Sequence, residues 1–308
     1  MINEVALLIF GSVLIYMVHE KEIPLSIAVT IFAVIFMVMN YENIQQSLIL
    51  AKEREAFEQK MGEVVKKINE NESVAIQTIP RIIIQVWVQK DGGRPLVPAN
   101  QVQYMNKFRV LNPEFEHMFF VNDEIDQFFK SNYPEYYDTY KLLPMFIQKL
   151  DFFRYLAIYH YGGFYFDMDV EPHKPLDESI LNHSAVFPVD EYANAMGCQN
   201  PRMNSYCLVG QNFLLGQYAF GATAKHPFMK ILVDKIKQNV DNYIKIAGQM
   251  NDNNKESFHY FVYKTTGPDF LTDCYVKYQN KEQLYILSNG KRQVFGEYAT
   301  HKYAGLWK

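Results

Sequence analysis

The chain has 308 residues, enough for one sizeable domain with its own core plus an appendage. A formal net charge of -4 excludes the basic excess of a nucleic-acid binder, and 22 Tyr with 23 Phe exclude a disordered chain and point to a packed aromatic core. Three cysteines without regular spacing exclude a disulfide framework and a zinc site. Unpaired thiols are the expectation, with Cys198 and Cys207 the two able to close a short loop.

The N-terminus is apolar over Val5 to Val18 and again over Ile23 to Met39, with His19-Glu20-Lys21-Glu22 between. A membrane-spanning helix needs about 20 apolar residues, which the second run approaches. No basic segment and no small-residue cleavage site mark a signal peptide. Residues 1–41 therefore read as a hydrophobic membrane anchor. Two spans, one span with an interfacial flank, and a soluble helical pair all remain open. Residues 42–78 mix charge with apolar residues at helical spacing, Phe57, Met61, Val64, Val65 and Ile68 sharing one face. They read as a helical stem, and a globular domain follows over 79–308.

Within that domain strands and helices alternate, the pattern of an α/β fold. Arg81 to Val88 reads as a buried strand, Gln101 to Leu111 as a helix and His117 to Val121 as a second strand. Asp123 to Lys130 opens another helix, with Asn122 or Asp123 as N-cap. Phe146 to Tyr161 is a longer helix, stopped by Gly162-Gly163. Phe164 to Val170 is then a strand, in which Tyr165, Asp167 and Asp169 fall on one face.

Two carboxylates so placed repel unless a cation sits near them. Hard oxygen ligands suit Mg²⁺ or Mn²⁺, and such an ion would bind a diphosphate and neutralise it as it leaves. A lone D-x-D is common in solvated loops, so context carries the weight. Asp151 and Arg154 lie three apart on the preceding helix. They form either a plain helix salt bridge, about 0.3–0.5 kcal/mol, or a planar fork for phosphate in a cleft. Trp87 is either core or a platform for a base. His226 before Pro227 reads as the start of a helix.

The string K-L-D-F-F-R-Y, six residues, then G-G-F-Y-F-D-M-D-V resembles the DXD-containing sugar transferases of glycosyltransferase family 32, which include fungal Och1-type mannosyltransferases. More distantly it resembles the glucosylating domains of large clostridial toxins. The likeness spans most of 79–307: the opening Ile79-Pro80-Arg81-Ile82-Ile83-Ile84-Gln85-Val86-Trp87, then Asn112-Pro113, Gln217-Tyr218 with His226-Pro227, Thr266-Gly267-Pro268, and the closing His301 and Trp307. It implies a GT-A fold with a Rossmann-like mixed sheet that binds a nucleotide sugar. It also implies metal-dependent, anomer-retaining transfer of a hexose from a UDP- or GDP-sugar to a hydroxyl of a glycan or glycoprotein.

By that likeness Asp167 contacts the sugar or ribose and Asp169 binds Mn²⁺ or Mg²⁺; Asp167 and His301 are the further candidate ligands, His301 reading equally as a surface histidine. Asp151 and Arg154 hold the donor sugar and phosphate, Trp87 stacks on the base, and Tyr165 borders the donor. His301 and Trp307 close over the diphosphate, and Gln217 lies beneath the reacting sugar. Ile84 and Leu150 replace a family His and Ser, as packing changes; Gly305-Leu306 stands where relatives carry Ser near the Trp. The implied partners are the nucleotide sugar, the glycan acceptor and a lipid membrane, with no nucleic acid, and the implied location is an internal membrane of the Golgi or endoplasmic-reticulum kind. The rival readings are a decayed module that binds a nucleotide sugar without turnover, and a membrane scaffold.

Overall fold

The computed structural model describes residues 16, 18–20, 24–34, 78–89, 96–193, 197–250 and 255–304. The chain divides into two units, Met1–Phe57 and Glu58–Lys308. In the first, residues 25–34 are helical. No helix among the described residues is long and apolar enough to cross a membrane. Most of the expected anchor, and of the stem over 42–78, lies outside the described residues.

The second unit is α/β, as the alternation of elements predicts. Its seven-stranded mixed sheet runs in the order β2 (Glu116–Phe120), β1 (Ile82–Val86), β3 (Gly163–Phe166), β7 (Ala219–Ala222), β5 (Ala185–Tyr192), β6 (Phe213–Leu215), with β8 (Tyr285–Leu287) also on β5. β1 runs parallel to β2 and β3, while β7 is antiparallel to β3 and β5. A small antiparallel sheet joins β4 (Val170–Pro172), β10 (Ala299–His301) and β9 (Val294–Phe295). β1 reads IIIQV, a run for a strand covered on both faces. Ile84 is fully buried and packs in the core.

The helix Ala99–Leu111, α1, lies where the sequence places it. The next, α2 (Asn122–Asn132), is not capped by Asn122 or Asp123. Its cap is Val121, whose N–H donates to the Glu124 carboxylate at 2.9 Å. Asn122 faces elsewhere: its amide donates to the Gln89 carbonyl at 2.8 Å, and its Oδ1 accepts from the Gln89 N–H at 3.0 Å. That double bond pins the segment after β1 that carries Trp87. α3 (Pro134–Leu142) follows, then α4 (Phe146–Tyr161) with the bounds read from the sequence.

Gly162 ends α4 at φ 71° and Gly163 opens β3 at φ 89°. A Cβ at Gly163 would meet the Ile82 carbonyl oxygen at 2.5 Å, and one at Gly162 the Ala224 nitrogen at 2.7 Å. Only glycine allows α4 to fold straight back onto the sheet beside β1. The aromatic wealth fills this junction: Phe152, Phe153, Tyr155, Phe164 and Phe166 are fully buried. Phe108 of α1 lies 4.4 Å from Phe166, ring centre to ring centre.

The structure changes two further readings. β3 ends at Phe166, and Asp167 to Asp169 form a turn closed by the Val170 N–H on the Asp167 carbonyl at 3.1 Å. Asp is a poor strand residue and a good first residue of a turn. The chain leaves β7 after the Asp167 N–H meets the Tyr218 carbonyl at 2.7 Å, and β4 pairs instead with β10. Second, Cys198 and Cys207 are joined in a disulfide, not free. A 3-10 turn at Gly197–Gln199 followed by the helix Pro201–Leu208 brings their Cα atoms to 5.9 Å. Cys274 remains a buried thiol.

His226 starts the long helix Pro227–Gly248, as the His-Pro pair predicts, by accepting the Phe228 N–H at 3.2 Å on Nδ1. It is 3% exposed, and burial pushes its pKa down to about 4. The folded protein therefore keeps His226 neutral where the unfolded chain takes up a proton, near pH 6.5. Stability is whole above that pH and falls as pH drops towards 4, by about 3 kcal/mol at most. Thermal melting from pH 7 to pH 4 should show this loss, and His226→Asn, which keeps a cap, should flatten it; an unchanged slope would reject the assignment.

Candidate active site

The ends of β1 and β3, one face of α4 and the β6–β7 connection enclose a cleft of about 620 Å³. An opening beyond the carboxyl ends of parallel strands is the usual ligand position in such sheets. Asp151, Arg154, Tyr165, Asp167, Asp169, Gln217, Trp87 and His301 all line it. The fold thus gathers the sequence-predicted residues that it describes; Trp307 lies outside the described residues. Leu150 lines the cleft too, so its replacement of a family Ser alters the cleft wall rather than the packing.

Arg154 is the centre of the arrangement. It is 5% exposed, and its guanidinium lies 3.2 Å from Asp151 and 3.1 Å from Asp167. It also donates to the Gln217 carbonyl at 3.2 Å and lies 4.7 Å from the Tyr165 ring centre. The plain surface salt bridge is thereby excluded. Burial works against its charge, yet the carboxylates of Asp167 and Asp151 hold its pKa above the ordinary value. Its Nε is buried without a partner.

Asp151 is 1% exposed and held from three sides. Gln217 donates to it at 2.6 Å, Thr266 at 2.7 Å, and Arg154 completes the set. Burial still raises its pKa to about 6, against the pull of Arg154. Gln217 therefore spends its amide on Asp151, an orienting contact that the sequence does not reveal. Thr266, from the turn before Pro268, has the same task.

Asp167 is pushed up by burial, which outweighs the Arg154 charge, and it accepts from the Tyr165 hydroxyl at 2.7 Å. Asp169 goes the other way. Burial opposes its charge, but the bond and charge of His301 and the Ala304 N–H at 2.8 Å keep its pKa low. His301 lies 3.3 Å from Asp169 and stacks on Tyr218 with ring centres 4.5 Å apart. Burial lowers its pKa, and Asp169 and Asp167 more than restore it.

Ligand atoms of Asp167, Asp169 and His301 lie within 4.8 Å of one another. Two carboxylates and an imidazole suit Mn²⁺ or another divalent ion of similar hardness. A cation there would replace the His301 proton as the partner of Asp169. The His301 Nδ1 and the Trp87 Nε1 are buried without partners, a shortage a bound group could meet. Sequence reasoning passed over Gln101 and Asp190, and it gave Thr266 a place in a motif but no task. Gln101 is 1% exposed at the cleft wall with its Oε1 unpartnered. Asp190 lines the cleft from β5, where no motif marks it.

Known proteins resemble this chain over the same region. A family model described as a glycosyltransferase sugar-binding region containing a DXD motif matches residues 98–187, which include Asp151, Arg154, Asp167 and Asp169. Inositol phosphoceramide mannosyltransferase 1 of Schizosaccharomyces pombe is 27% identical over 206 residues, covering 66% of this chain and 53% of its own. An uncharacterised glycosyltransferase of Acanthamoeba polyphaga mimivirus is 27% identical over 222 residues, covering 66% and 82%. The initiation-specific alpha-1,6-mannosyltransferase of Candida albicans is 26% identical over 211 residues, covering 65% and 53%. The chain thus spans about half the length of the two fungal relatives. Among solved structures, the PaToxG glycosyltransferase aligns with a TM-score of 0.45 at 15% identity, over 72% of this chain and 78% of that one.

The three-residue cluster makes its own prediction. Mn²⁺ should raise the melting temperature of the protein, and Asp169→Asn should abolish that rise while leaving the metal-free melt within a few degrees. A retained Mn²⁺ shift in the variant would remove Asp169 from the metal site.

Proposed function

We propose that this chain, a glycosyltransferase carrying the DXD-containing sugar-binding region, moves a hexose from a UDP- or GDP-sugar to a hydroxyl of a glycan or glycoconjugate with retention of the anomeric configuration. Mannose is the hexose the reading favours, because two of the relatives above are named mannosyltransferases. The observation that carries the proposal is Arg154, buried between Asp151 and Asp167 and opening onto the cleft beside Asp169 and His301.

In this reading the domain is of GT-A type. The base lies against Trp87, whose segment Asn122 holds. Asp151, fixed by Gln217 and Thr266, accepts from donor sugar hydroxyls, and Tyr165 walls the donor. Asp167, Asp169 and His301 would hold Mn²⁺ or Mg²⁺, which supplies positive charge against the diphosphate. Arg154 faces charge that grows on the leaving oxygen, a stabilisation that acts mainly in the transition state. The acceptor hydroxyl attacks from the side the diphosphate leaves. Intact Asp151, Arg154, Asp167 and Asp169 in one cleft speak against a decayed binding module.

A screen of nucleotide sugars for Mn²⁺-dependent hydrolysis by the full chain tests the activity, and GDP-mannose is the expected donor. With that donor Arg154→Lys should lose at least tenfold in kcat and melt lower while still folding, because one ammonium cannot bridge both buried carboxylates. A stable variant losing less than about threefold would sink the role of Arg154; no hydrolysis of any donor would sink the function.

The apolar runs before Tyr41 support a membrane anchor over residues 1–41, a stem over 42–78 and residence on an internal membrane. Full-length protein should resist carbonate extraction from membranes. Recovery in the carbonate supernatant would reject the anchor.

A further inference from the structure

Asp190 lines the same cleft as the candidate donor and metal groups, and it comes from β5. β5 pairs with β6 through Val189 on Leu215 and Glu191 on Leu214, so Asp190 is the extra residue of a β-bulge. A bulge re-aims a side chain and leaves it outside the ladder. Here it turns a carboxylate into the cleft. Its neighbours Val189 and Tyr192 are buried at 1% and 2%. Glu191, next along the strand, is used structurally and pairs with Arg202 and Arg292.

No described residue gives Asp190 a hydrogen bond or ion pair, although burial raises its pKa to about 6 against the more distant charges of Arg202 and His301. A half-buried carboxylate that spends its oxygens on no protein donor leaves them able to accept from a ligand in the cleft. Three aromatic rings feel its charge: Tyr218, Tyr263 and Tyr303, from three different parts of the chain. All three line the same cleft. A carboxylate that accepts from hydroxyls beside ring faces that pack on C–H surfaces matches a sugar or other polyhydroxylated ring. The donor sugar already has Asp151 and Arg154, which leaves Asp190 and the ring faces beside it for the acceptor.

We propose that Asp190 binds and positions the acceptor, accepting hydrogen bonds from hydroxyls of a polyhydroxylated ring packed against Tyr263 and Tyr303. The role rests on the transferase reading above, and it assigns Asp190 no bond-making step.

The test separates transfer from hydrolysis. Full-length protein is given GDP-mannose and Mn²⁺ with methyl α-mannoside, mannobiose or myo-inositol, and both free mannose and transferred mannose are measured. Asp190→Asn should raise the acceptor KM at least tenfold and shift the donor at least tenfold from acceptor towards water, with the donor KM moving less than threefold. Asp190→Glu, which keeps the carboxylate, should recover part of the partition. Equal loss of transfer and hydrolysis in Asp190→Asn, or hydrolysis by the unaltered protein with transfer to none of the three rings, overturns the acceptor role. Absence of both products from the unaltered protein with every nucleotide sugar overturns the transferase reading itself. Melting curves of Asp190→Asn and Asp190→Glu show whether each variant is folded.

Discussion

The buried guanidinium of Arg154 is the constraint on which the cleft depends. A charge removed from water must be paired closely, and stripping one partner from such a set typically costs about 3–5 kcal/mol. Asp151 and Asp167 supply the pairing, but neither is held by its own element alone. Asp151 on α4 is fixed by Gln217, from the connection between β6 and β7, and by Thr266, from the turn ahead of Pro268. Asp167 hangs from the end of β3 on the Tyr218 carbonyl. Four distant stretches of chain must therefore arrive together before the charges are tolerable. The polar centre of the cleft and the completeness of the fold are one requirement.

The turn at Asp167 follows from the same geometry. β3 enters the sheet beside β1 through two glycines in left-handed conformations, and it is only four residues long. Had the strand continued, Asp167 and Asp169 would have pointed along a sheet face. Because it stops, the chain swings away to β4, and β4 brings β10 alongside. That pairing delivers His301 to Asp169 and Lys302 to the Asp169 carbonyl at 2.9 Å. The three candidate metal ligands are gathered by a sheet that exists because β3 ends early.

The cleft then divides by chemistry. On one wall the charges are paired and oriented, with opposed carboxylates at Asp167 and Asp169: one raised by burial, the other lowered by His301. That difference is set by partners, since both belong to one turn of three residues. The same cleft holds Asp190, turned inward by a bulge, with Tyr218, Tyr263 and Tyr303 also in its lining. A cleft that holds both a paired set of charges and a further carboxylate beside aromatic rings is suited to joining two different ligands.

Local sequence determined a good deal of this protein. The run IIIQV, the sixteen residues of α4 and the paired glycines fix elements through short-range rules, namely apolar runs, helical spacing and left-handed backbone, and each lies where those rules put it. The D-x-D motif and the Asp151–Arg154 spacing were legible because chemistry of that kind sits within a few residues of chain. Other features were decided only by tertiary structure. The cap of α2 fell to Val121 because Asn122 was needed by Gln89 across the sheet. The disulfide formed because a turn and a helix returned Cys207 to Cys198. Gln217 serves Asp151 across 66 residues, Thr266 across 115, and Asp190 reaches the cleft through a register shift against β6. Such contacts leave no periodicity or spacing in the chain, because the partners that give each side chain its task are chosen by the packing of distant elements.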